Sequence, residues 1–315
     1  MKNSQKSHKI GLISALPLLL LPLAACNEAM EPGTKVDSIR VLAEQVDEPY
    51  AHPGETVQLT SLSHDPQGRA ITWAWASCVN PDSSDLQGCL AKIAENPDPA
   101  TSVFAMGAGT DSAALTIPTN TIDSLPEAAR GAATVGVMSV ACPGDLSFGA
   151  GPGGLPTRCQ EPGTGRDLEL DEFIVGFKRI PVRNTDRNQN PVIMGVTFDG
   201  ADWPATEIKD VGFCNTSEFV YGTCADKNKH QLAVKVSPES FEKGKDELGR
   251  PFEEQVVIQH YATEGIFEFE VRTGESPKTG WVARKSASGQ TLTLWFIARD
   301  DRGGVAWTER QVKVQ

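Results

Sequence analysis

Short stretches in which hydrophobic and polar residues alternate recur along most of the chain, with turn-forming residues between them. In the clearest stretch, Ile71, Trp73 and Trp75 fall on one side of an extended backbone. Successive side chains of a β-strand point to opposite faces, so this period of two predicts strands that bury one face. In the first half such strands are predicted at residues 38–43, 56–62, 70–76, 113–117, 134–141 and 172–179. Short strands at regular spacing are typical of an all-β sandwich.

A polar, turn-forming segment at residues 184–191 interrupts this pattern, and a second series of strands follows it. These strands are predicted at residues 192–198, 231–237, 254–261, 266–271, 281–284, 291–299 and 305–314. The last two are separated by Asp300-Asp301-Arg302-Gly303-Gly304, a composition that predicts a hairpin turn. We therefore expect two β-sandwich domains, residues 38–183 and 192–315, joined by a linker at residues 184–191.

One part of the first series is similar to a known family. The strand Glu55-Thr56-Val57-Gln58-Leu59-Thr60 is followed by the turn Asp65-Pro66-Gln67-Gly68 and by the aromatic strand Thr72-Trp73-Ala74-Trp75. This segment resembles the second and third strands of immunoglobulin-like repeats of the polycystic-kidney-disease type. The closing hairpin resembles the last two strands of the same modules. The resemblance implies an all-β fold with two immunoglobulin-like β-sandwich domains in tandem.

The first 25 residues have a different pattern. Lys2, Lys6 and Lys9 precede a mostly apolar run at residues 10–21, and small residues follow it. A basic start, a short apolar run and small residues at the end are the features of a secretory signal peptide. The run has 12 residues, fewer than the ~20 that a membrane-spanning helix needs. We expect residues 1–25 to be removed on export and residues 26–37 to form a tether.

The end of this segment, Leu23-Ala24-Ala25-Cys26, resembles the lipobox of bacterial lipoproteins. The resemblance implies cleavage before Cys26 and a diacylglyceryl group on its sulfur, usually with an acylated amine, so that lipid chains such as palmitate anchor the protein. Asn27 follows the cysteine and, by analogy with lipoprotein sorting, favours the outer membrane. The alternative is an ordinary signal peptide with a chance cysteine at its end.

The negative net charge of the chain excludes some classes of binding partner. Its 315 residues include 29 Lys and Arg against 41 Asp and Glu. Removal of residues 1–25 takes away three lysines, so the mature charge becomes 26 − 41 = −15. Nucleic-acid binding needs clustered Lys and Arg, and an acidic body is repelled by anionic lipid head groups. We therefore expect no nucleic-acid partner, and a membrane contact made through the lipid on Cys26.

The cysteine count is consistent with export. With Cys26 assigned to lipid, six cysteines remain, and an even number in an exported protein predicts three disulfides. Of the possible connectivities we expect the sequential one, because its first two pairs would each close a loop at the end of a predicted strand. Metal ligation is disfavoured, since the sequence has no Cys-x-x-Cys spacing and no histidine beside these cysteines. The expected pairs are Cys78–Cys89, Cys142–Cys159 and Cys214–Cys224.

No assembled catalytic motif is found. Residues 149–154 fit G-x-G-x-x-G, but Pro152 interrupts the motif and no strand and helix are predicted around it. Ser240, Lys243 and Lys278-Thr279-Gly280 match two elements of penicillin-binding enzymes, but the third element, S-D-N, is missing. The histidines of the mature chain are expected in turns or on strand surfaces, and the tryptophans mainly in the core. We therefore expect a protein that is not an enzyme.

The linker carries the candidate ligand-binding cluster. Asp186, Asn188 and Asn190 alternate there and resemble the calcium-binding linkers of cadherin-like arrays, in which carboxylate and amide oxygens bridge adjacent sandwiches. Calcium takes about six to eight oxygen ligands, so further oxygens would have to come from Asp65, or from Asp300 and Asp301. The alternative is an ordinary turn-forming linker, because the pattern lacks the second acid of the cadherin linker.

These observations favour a lipid-anchored bacterial envelope protein, without catalytic activity, that acts in adhesion, scaffolding or recognition of a protein or glycan partner. Two alternatives stay open. A surface hydrolase would need carboxylates gathered by the fold into one pocket. An accessory subunit of an envelope complex would show a broad apolar patch on one face.

Overall fold

A computed structural model describes residues 33–83, 85–96, 98–216, 220–246 and 249–315. Within these ranges the chain forms one compact unit. The predicted signal peptide, Cys26 and the first part of the predicted tether lie outside the described residues. No α-helix in the described ranges has the length and apolar character needed to cross a bilayer.

The first half of the described chain consists mainly of strands. They are β1 (Arg40–Val46), β2 (Thr56–His64), β3 (Thr72–Val79), β4 (Val103–Ala108), β5 (Ser112–Thr116), β6 (Thr134–Cys142), β7 (Asp145–Phe148), β8 (Thr157–Gln160) and β9 (Ile174–Pro181). An α-helix, α1 (Leu86–Ala94), follows β3, and short 3-10 helices lie at Pro99–Ser102, Glu127–Ala132 and Pro152–Gly154.

Two sheets of the first half, β1-β2-β5 and β4-β3-β6-β9, pack face to face. The chain crosses from one sheet to the other between β2 and β3 and again between β4 and β5, which gives the strand order of an immunoglobulin-like sandwich. Residues from both sheets meet in the core, among them Leu59, Trp73, Trp75 and Val137. The two tryptophan rings stack with their centroids 5.7 Å apart.

The sheet that contains β3 is covered on its outer face as well. Ala74, Ala76 and Met138 of this sheet join a second apolar cluster on that face, together with Leu90 of α1 and Phe173. The predicted period of two therefore holds along β3, but both of its faces are buried, as in sheets that have cover on both sides.

Disulfides fix this outer cover to the sheet. Cys78–Cys89 joins β3 to α1, and Cys142–Cys159 joins the end of β6 to β8. Both pairs are the ones predicted from the spacing. The helix itself was not predicted, although Asp85 caps it by accepting a hydrogen bond of 2.9 Å from the backbone N–H of Gly88.

The second half is also built from strands. They are β10 (Ile193–Phe198), β11 (Ala201–Asp202), β12 (Ile208–Val211), β13 (Phe213–Cys214), β14 (His230–Val236), β15 (Lys243–Lys245), β16 (Pro251–Glu253), β17 (Val257–Ala262), β18 (Ile266–Phe267), β19 (Val271–Thr273), β20 (Lys278–Arg284), β21 (Thr291–Arg299) and β22 (Val305–Val314). Short 3-10 helices lie at Tyr221–Thr223, Asp226–Asn228, Pro238–Ser240 and Lys285–Ala287.

The second half repeats the plan of the first. Its sheets are β11-β10-β14-β20-β13, with β18 also paired to β20, and β12-β22-β21-β17-β19. The order β10-β14-β20 corresponds to β1-β2-β5, and β19-β17-β21-β22 corresponds to β4-β3-β6-β9. Strands β21 and β22 pair in antiparallel register across the predicted hairpin turn, with the predicted bounds. The chain thus contains two immunoglobulin-like β-sandwiches in tandem, here called the first and the second sandwich.

The predicted strand at residues 266–271 is wrong in one respect, because this segment forms two strands in different sheets. Strand β18 pairs with β20, while β19 pairs with β17 in the opposite sheet. The residue before β18 is Gly265, at a φ of +107°, and a Cβ there would lie 2.6 Å from Nε1 of Trp281. The chain is therefore pressed against a buried tryptophan before it crosses to the other sheet.

The expected surface position of the histidines is also wrong for His260, which is only 1% exposed. Its ring lies between Phe267 and Phe296, with centroids 5.3 and 5.9 Å away, and Nδ1 is 3.0 Å from the carbonyl oxygen of Glu270. Burial lowers the pKa of His260 to about 4, so the ring is neutral at physiological pH. Trp203 and Trp281 are fully buried, in agreement with a core role.

The two sandwiches pack against each other along a seam. Leu42 and Ala43 of β1 contact Trp295 and Ile297 of β21, and the ring of His64 lies 4.9 Å from that of Trp295. The described end of the predicted tether joins the same region. The Val36 N–H donates to the carbonyl of Ala262 at 2.9 Å, and the Ala262 N–H donates to the carbonyl of Thr34 at 3.0 Å.

Candidate functional site

The linker at residues 184–191 lies at the seam, and its three proposed calcium ligands make different contacts. Asp186 accepts a hydrogen bond of 2.9 Å from the guanidinium of Arg302. The side chain of Asn188 is buried, with Nδ2 3.4 Å from Oδ2 of Asp300. Asn190 donates to the carbonyl of Val46 at 2.7 Å and accepts from the N–H of Val305 at 2.8 Å, so it bridges the two sandwiches.

Arg302 is the centre of a buried polar cluster at the seam. Its guanidinium donates to the carboxylates of Asp186, Glu242 and Glu254, at 2.9, 3.3 and 3.1 Å. It also lies between two aromatic rings, with centroids 4.8 Å away for Tyr50 and 4.1 Å away for Phe252. Its side chain is 10% exposed. We call Arg302, the three carboxylates and the two rings the Arg302 cluster; it joins the first sandwich, the linker and the second sandwich.

The turn between β21 and β22 positions Arg302. Oδ1 of Asp300 accepts hydrogen bonds from the backbone N–H groups of Arg302, at 2.9 Å, and Gly304, at 2.7 Å. A Cβ on residue 304 would lie 2.1 Å from Oδ2 of Asp300 and 2.8 Å from the carbonyl oxygen of Gln189. Glycine is therefore required where the turn meets the linker.

The acids of the Arg302 cluster outnumber its single cation, and this affects their protonation. Burial, and after it the carboxylates of Asp300 and Glu242, raise the pKa of Glu254 to about 7, although the guanidinium of Arg302 acts to lower it. The pKa of Glu242 is raised as well, mainly by burial. The Glu254 side chain is only 2% exposed, so water cannot solvate its negative charge. Glu254 accordingly takes up its proton at a much higher pH than an ordinary glutamate.

A second set of polar contacts lies at the seam nearby, and two of them cross it. The buried carboxylate of Glu44 accepts a hydrogen bond from the hydroxyl of Ser139, and burial raises the pKa of Glu44. The amine of Lys178 donates to the carbonyl of Gly303 in the turn of the second sandwich. Burial and the charge of Arg299 lower the pKa of Lys178 to about 8. Arg299 in turn donates to the carbonyl of Leu42 at 2.8 Å, so charged groups from both sandwiches fix the seam.

A cleft of about 910 Å³ opens at the seam beside the Arg302 cluster. Lys178, Arg179 and Arg183 lie on the wall from the first sandwich, and the turn with Asp300 and Asp301 forms the facing wall. The volume falls in the usual range of ligand sites, which are frequent at domain interfaces. The side chain of Arg179 is exposed and makes no ion pair or hydrogen bond with another described residue, while its backbone lies opposite Gly136 in the sheet. The cleft is thus polar, with basic side chains on one wall, and Asp82, Asp300 and Asp301 also line it.

The contacts of the linker residues can be compared with those that the predicted calcium site would need. Among the residues that the structure describes, no group of three His, Cys, Asp or Glu side chains is placed to hold a metal ion. The cation that faces Asp186 is the guanidinium of Arg302, and Asp65 pairs with its neighbour Arg69 at 2.7 Å. Of the additional oxygens considered, Asp300 does approach Asn188, whose buried Oδ1 has no partner in the described part of the chain. Calcium at the linker stays a prediction.

The third predicted disulfide, Cys214–Cys224, is also formed, so the described cysteines pair sequentially. It closes the segment between β13 and β14. Cys26 lies outside the described residues, and its lipidation stays a prediction.

Sequence reasoning missed the Arg302 cluster. Arg302 stands in a predicted hairpin turn, where an arginine is ordinarily solvated, while Glu242 stands in a charged stretch and Glu254 at the very start of a predicted strand. Tyr50 lies about 250 residues away from Arg302 in the chain. The usable signal was the pair Gly303-Gly304 after Arg302, which marks a close backbone approach.

Comparison with known proteins assigns no family to the chain. No protein-family model matches the chain, and no curated protein matches it significantly. Among solved structures, the D0-D1 domain of intimin is 11% identical with a TM-score of 0.21, over 87% of this chain and 98% of that one. Domains 4 and 5 of the S-layer protein SbsC are 9% identical with a TM-score of 0.20, over the same shares. Red sea bream transglutaminase is 10% identical with a TM-score of 0.24, over 88% of this chain and 32% of that one. At these scores the fold assignment depends on the strand order described above.

Proposed function

We propose that the chain is an exported, lipid-anchored envelope protein without catalytic activity, whose two sandwiches act as one rigid body for the recognition of a glycan or protein partner. The observation that carries this proposal is the seam. Apolar packing, the Arg302 cluster and the contacts of Lys178 and Arg299 join the sandwiches into one compact unit with a cleft between them.

The anchoring part of the proposal is supported by the lipobox-like sequence and by the three disulfides, which are typical of an exported protein. The described chain begins at Gly33, and residues 34–36 are paired with the end of β17. Seven residue steps separate Cys26 from Gly33, with a reach of about 24 Å at ~3.4 Å per residue. A lipid on Cys26 would hold the seam, rather than one end of the molecule, close to the bilayer.

The recognition part is favoured over hydrolysis by the position of the acids. A hydrolase needs carboxyl groups of raised pKa that face a substrate pocket. Glu242 and Glu254 have raised pKa values, but they pair with Arg302 and neither lines the cleft. Their contacts are those of a structural cluster that joins the sandwiches.

Anchoring is tested by expressing the full chain with its own signal in a bacterium that processes lipoproteins, grown with labelled palmitate. We expect label on the wild type and its recovery with membranes, because the thioether to Cys26 carries the acyl chains. Cys26→Ala should be unlabelled and soluble, whereas Asn27→Ala, one position away, should still be labelled. Wild-type protein that carries no label would contradict the anchoring claim.

Recognition at the cleft is tested with a panel of immobilised neutral and carboxylate-bearing oligosaccharides. We expect the wild type to bind members that carry a carboxylate, because Arg179 offers an exposed cation on the wall of the cleft. Arg179→Glu should lower that binding at least tenfold, while Arg250→Glu, at an arginine that is 72% exposed and does not line the cleft, should not. Equal binding by all three proteins would exclude the cleft as the site.

A further inference from the structure

The edges of the sheets differ in how they are protected. An exposed strand edge presents unpaired backbone groups that can pair with another chain, and natural proteins commonly block such edges with charged residues. Of the sheet edges at least three residues long in the described ranges, most carry a charge in the strand itself. These charged edges are β1, β7, β8, β9, β12, β15, β16 and β19.

Strands β4 and β5 are the exceptions. Their sequences, VFAMGA and SAALT, contain neither a charged residue nor a proline. Each is an edge strand of its sheet in the first sandwich, and each pairs with one strand only in the described part of the chain. Strand β4 has an irregular register with β3, a feature that by itself blunts an edge.

Strand β5 is regular. It pairs with β2 from Ser112 to Thr116 without a register shift. Ala113 and Leu115 point into the core, while Ser112, Ala114 and Thr116 are exposed on the outer face of the sheet. The exposed side chains are small, so they do not obstruct the approach of another strand.

A second copy of the same chain fits this edge. Two identical edges that meet antiparallel are self-complementary, with a twofold axis at the middle residue of the strand, here Ala114. The net charge, −12 for the full sequence and −15 without residues 1–25, makes two copies repel each other over most of their surfaces, but the β5 strand adds no charge to that repulsion. The nearest charged residue in sequence is Asp111, one position before the strand.

We propose that the protein self-associates through β5, and that antiparallel pairing of two β5 strands joins the sheets β1-β2-β5 of two copies into one six-stranded sheet. The paired strands place Ala114 of one copy opposite Ala114 of the other. This proposal is independent of the anchor and of the cleft.

A site-specific disulfide tests the pairing in the full chain, produced and exported in cells. Ala114→Cys should give a disulfide-linked dimer on non-reducing gels, because directly opposed residues of paired strands have Cα atoms about 4.5 to 5.5 Å apart, within disulfide reach. The matched control is Gln58→Cys, on the same exposed face one strand further in and directly paired with Ala114. Two copies of residue 58 would be three strand spacings apart, about 14 Å, and should not crosslink.

A mass measurement on the purified full chain covers the case in which an added cysteine disturbs the native disulfides. Light scattering after size exclusion should give the mass of a dimer for the wild type and for Gln58→Lys. Ala114→Lys should give a monomer, because two lysines then face each other across the pairing. The proposal would be overturned if the wild type is a monomer, if Ala114→Lys leaves the mass unchanged, or if both cysteine variants crosslink alike. A monomer whose β5 amides become protected only when another protein is added would assign the edge to a partner strand instead.

Discussion

At the scale of the residue, the seam depends on whether buried charges find partners. A buried carboxylate without a partner costs several kcal/mol. Removal of one member of a buried ion pair leaves the other charge buried without a partner. The Arg302 cluster meets this requirement by placing one planar guanidinium between two aromatic rings and three carboxylates. Burial is the main physical reason for the raised pKa of Glu254, and the nearby carboxylates of Asp300 and Glu242 add to it.

This raised pKa predicts how stability depends on pH. The pKa of Glu254 is about 7 in the folded protein against 4.5 for the free side chain, so the folded state binds more protons between these values. The contribution of Glu254 to the free energy of unfolding is therefore present at low pH and is lost as the pH rises through about 7. We expect Glu254→Gln to increase the free energy of unfolding, relative to the wild type, by more at pH 8 than at pH 5.5, as measured by urea unfolding.

The neighbouring Glu253 supplies the control for this measurement. Its side chain is 67% exposed and pairs with Lys243, so Glu253→Gln should shift the free energy of unfolding equally at both pH values. Comparison with the wild type at each pH cancels the contributions of other groups, including His260, whose lowered pKa acts in the opposite direction. An equal effect of Glu254→Gln at pH 5.5 and pH 8 would mean that Glu254 does not titrate in this range.

At the scale of the element, the sequence predicted those strands whose alternation is sustained and whose turns are marked. The hairpin of β21 and β22 was predicted with its bounds, because two long alternating runs flank a turn rich in Asp and Gly. The disulfide pairs followed from the same local logic, since each joins residues that are close in sequence.

The sequence did not predict the elements that are stabilised by contacts between residues far apart in the chain. Helix α1 has only nine residues and includes Gly88, and its apolar side packs on the outer face of a sheet formed by residues far along the chain. Short strands such as β7, β8 and β13 offer too few residues for a periodic pattern. The Arg302 cluster is the extreme case, because its members come from four separate segments. The pair Gly303-Gly304 marks a close backbone approach there but does not indicate which residues meet.

At the scale of the whole molecule, two sandwiches of one plan act as a single unit, because the outer face of β1 buries apolar side chains against β21 and β22. Gln45 adds a hydrogen bond of 2.6 Å to the carbonyl of Val305, and Asn190 bridges the same strands. The cleft is a consequence of this packing, since its walls belong to different sandwiches. Its shape persists only if the seam is rigid.

The distance between the sandwiches in solution tests this rigidity most directly. Spin labels at Asn120→Cys in the first sandwich and Ser286→Cys in the second, both at exposed positions, report that distance by pulsed electron resonance. We predict one narrow distance peak in the otherwise wild-type protein, and a broadened distribution when Arg302→Ala is added, because the linker and Tyr50 then lose their shared partner. A broad distribution in the protein that retains Arg302 would contradict the account, since the two sandwiches would then move independently and the cleft would have no fixed form.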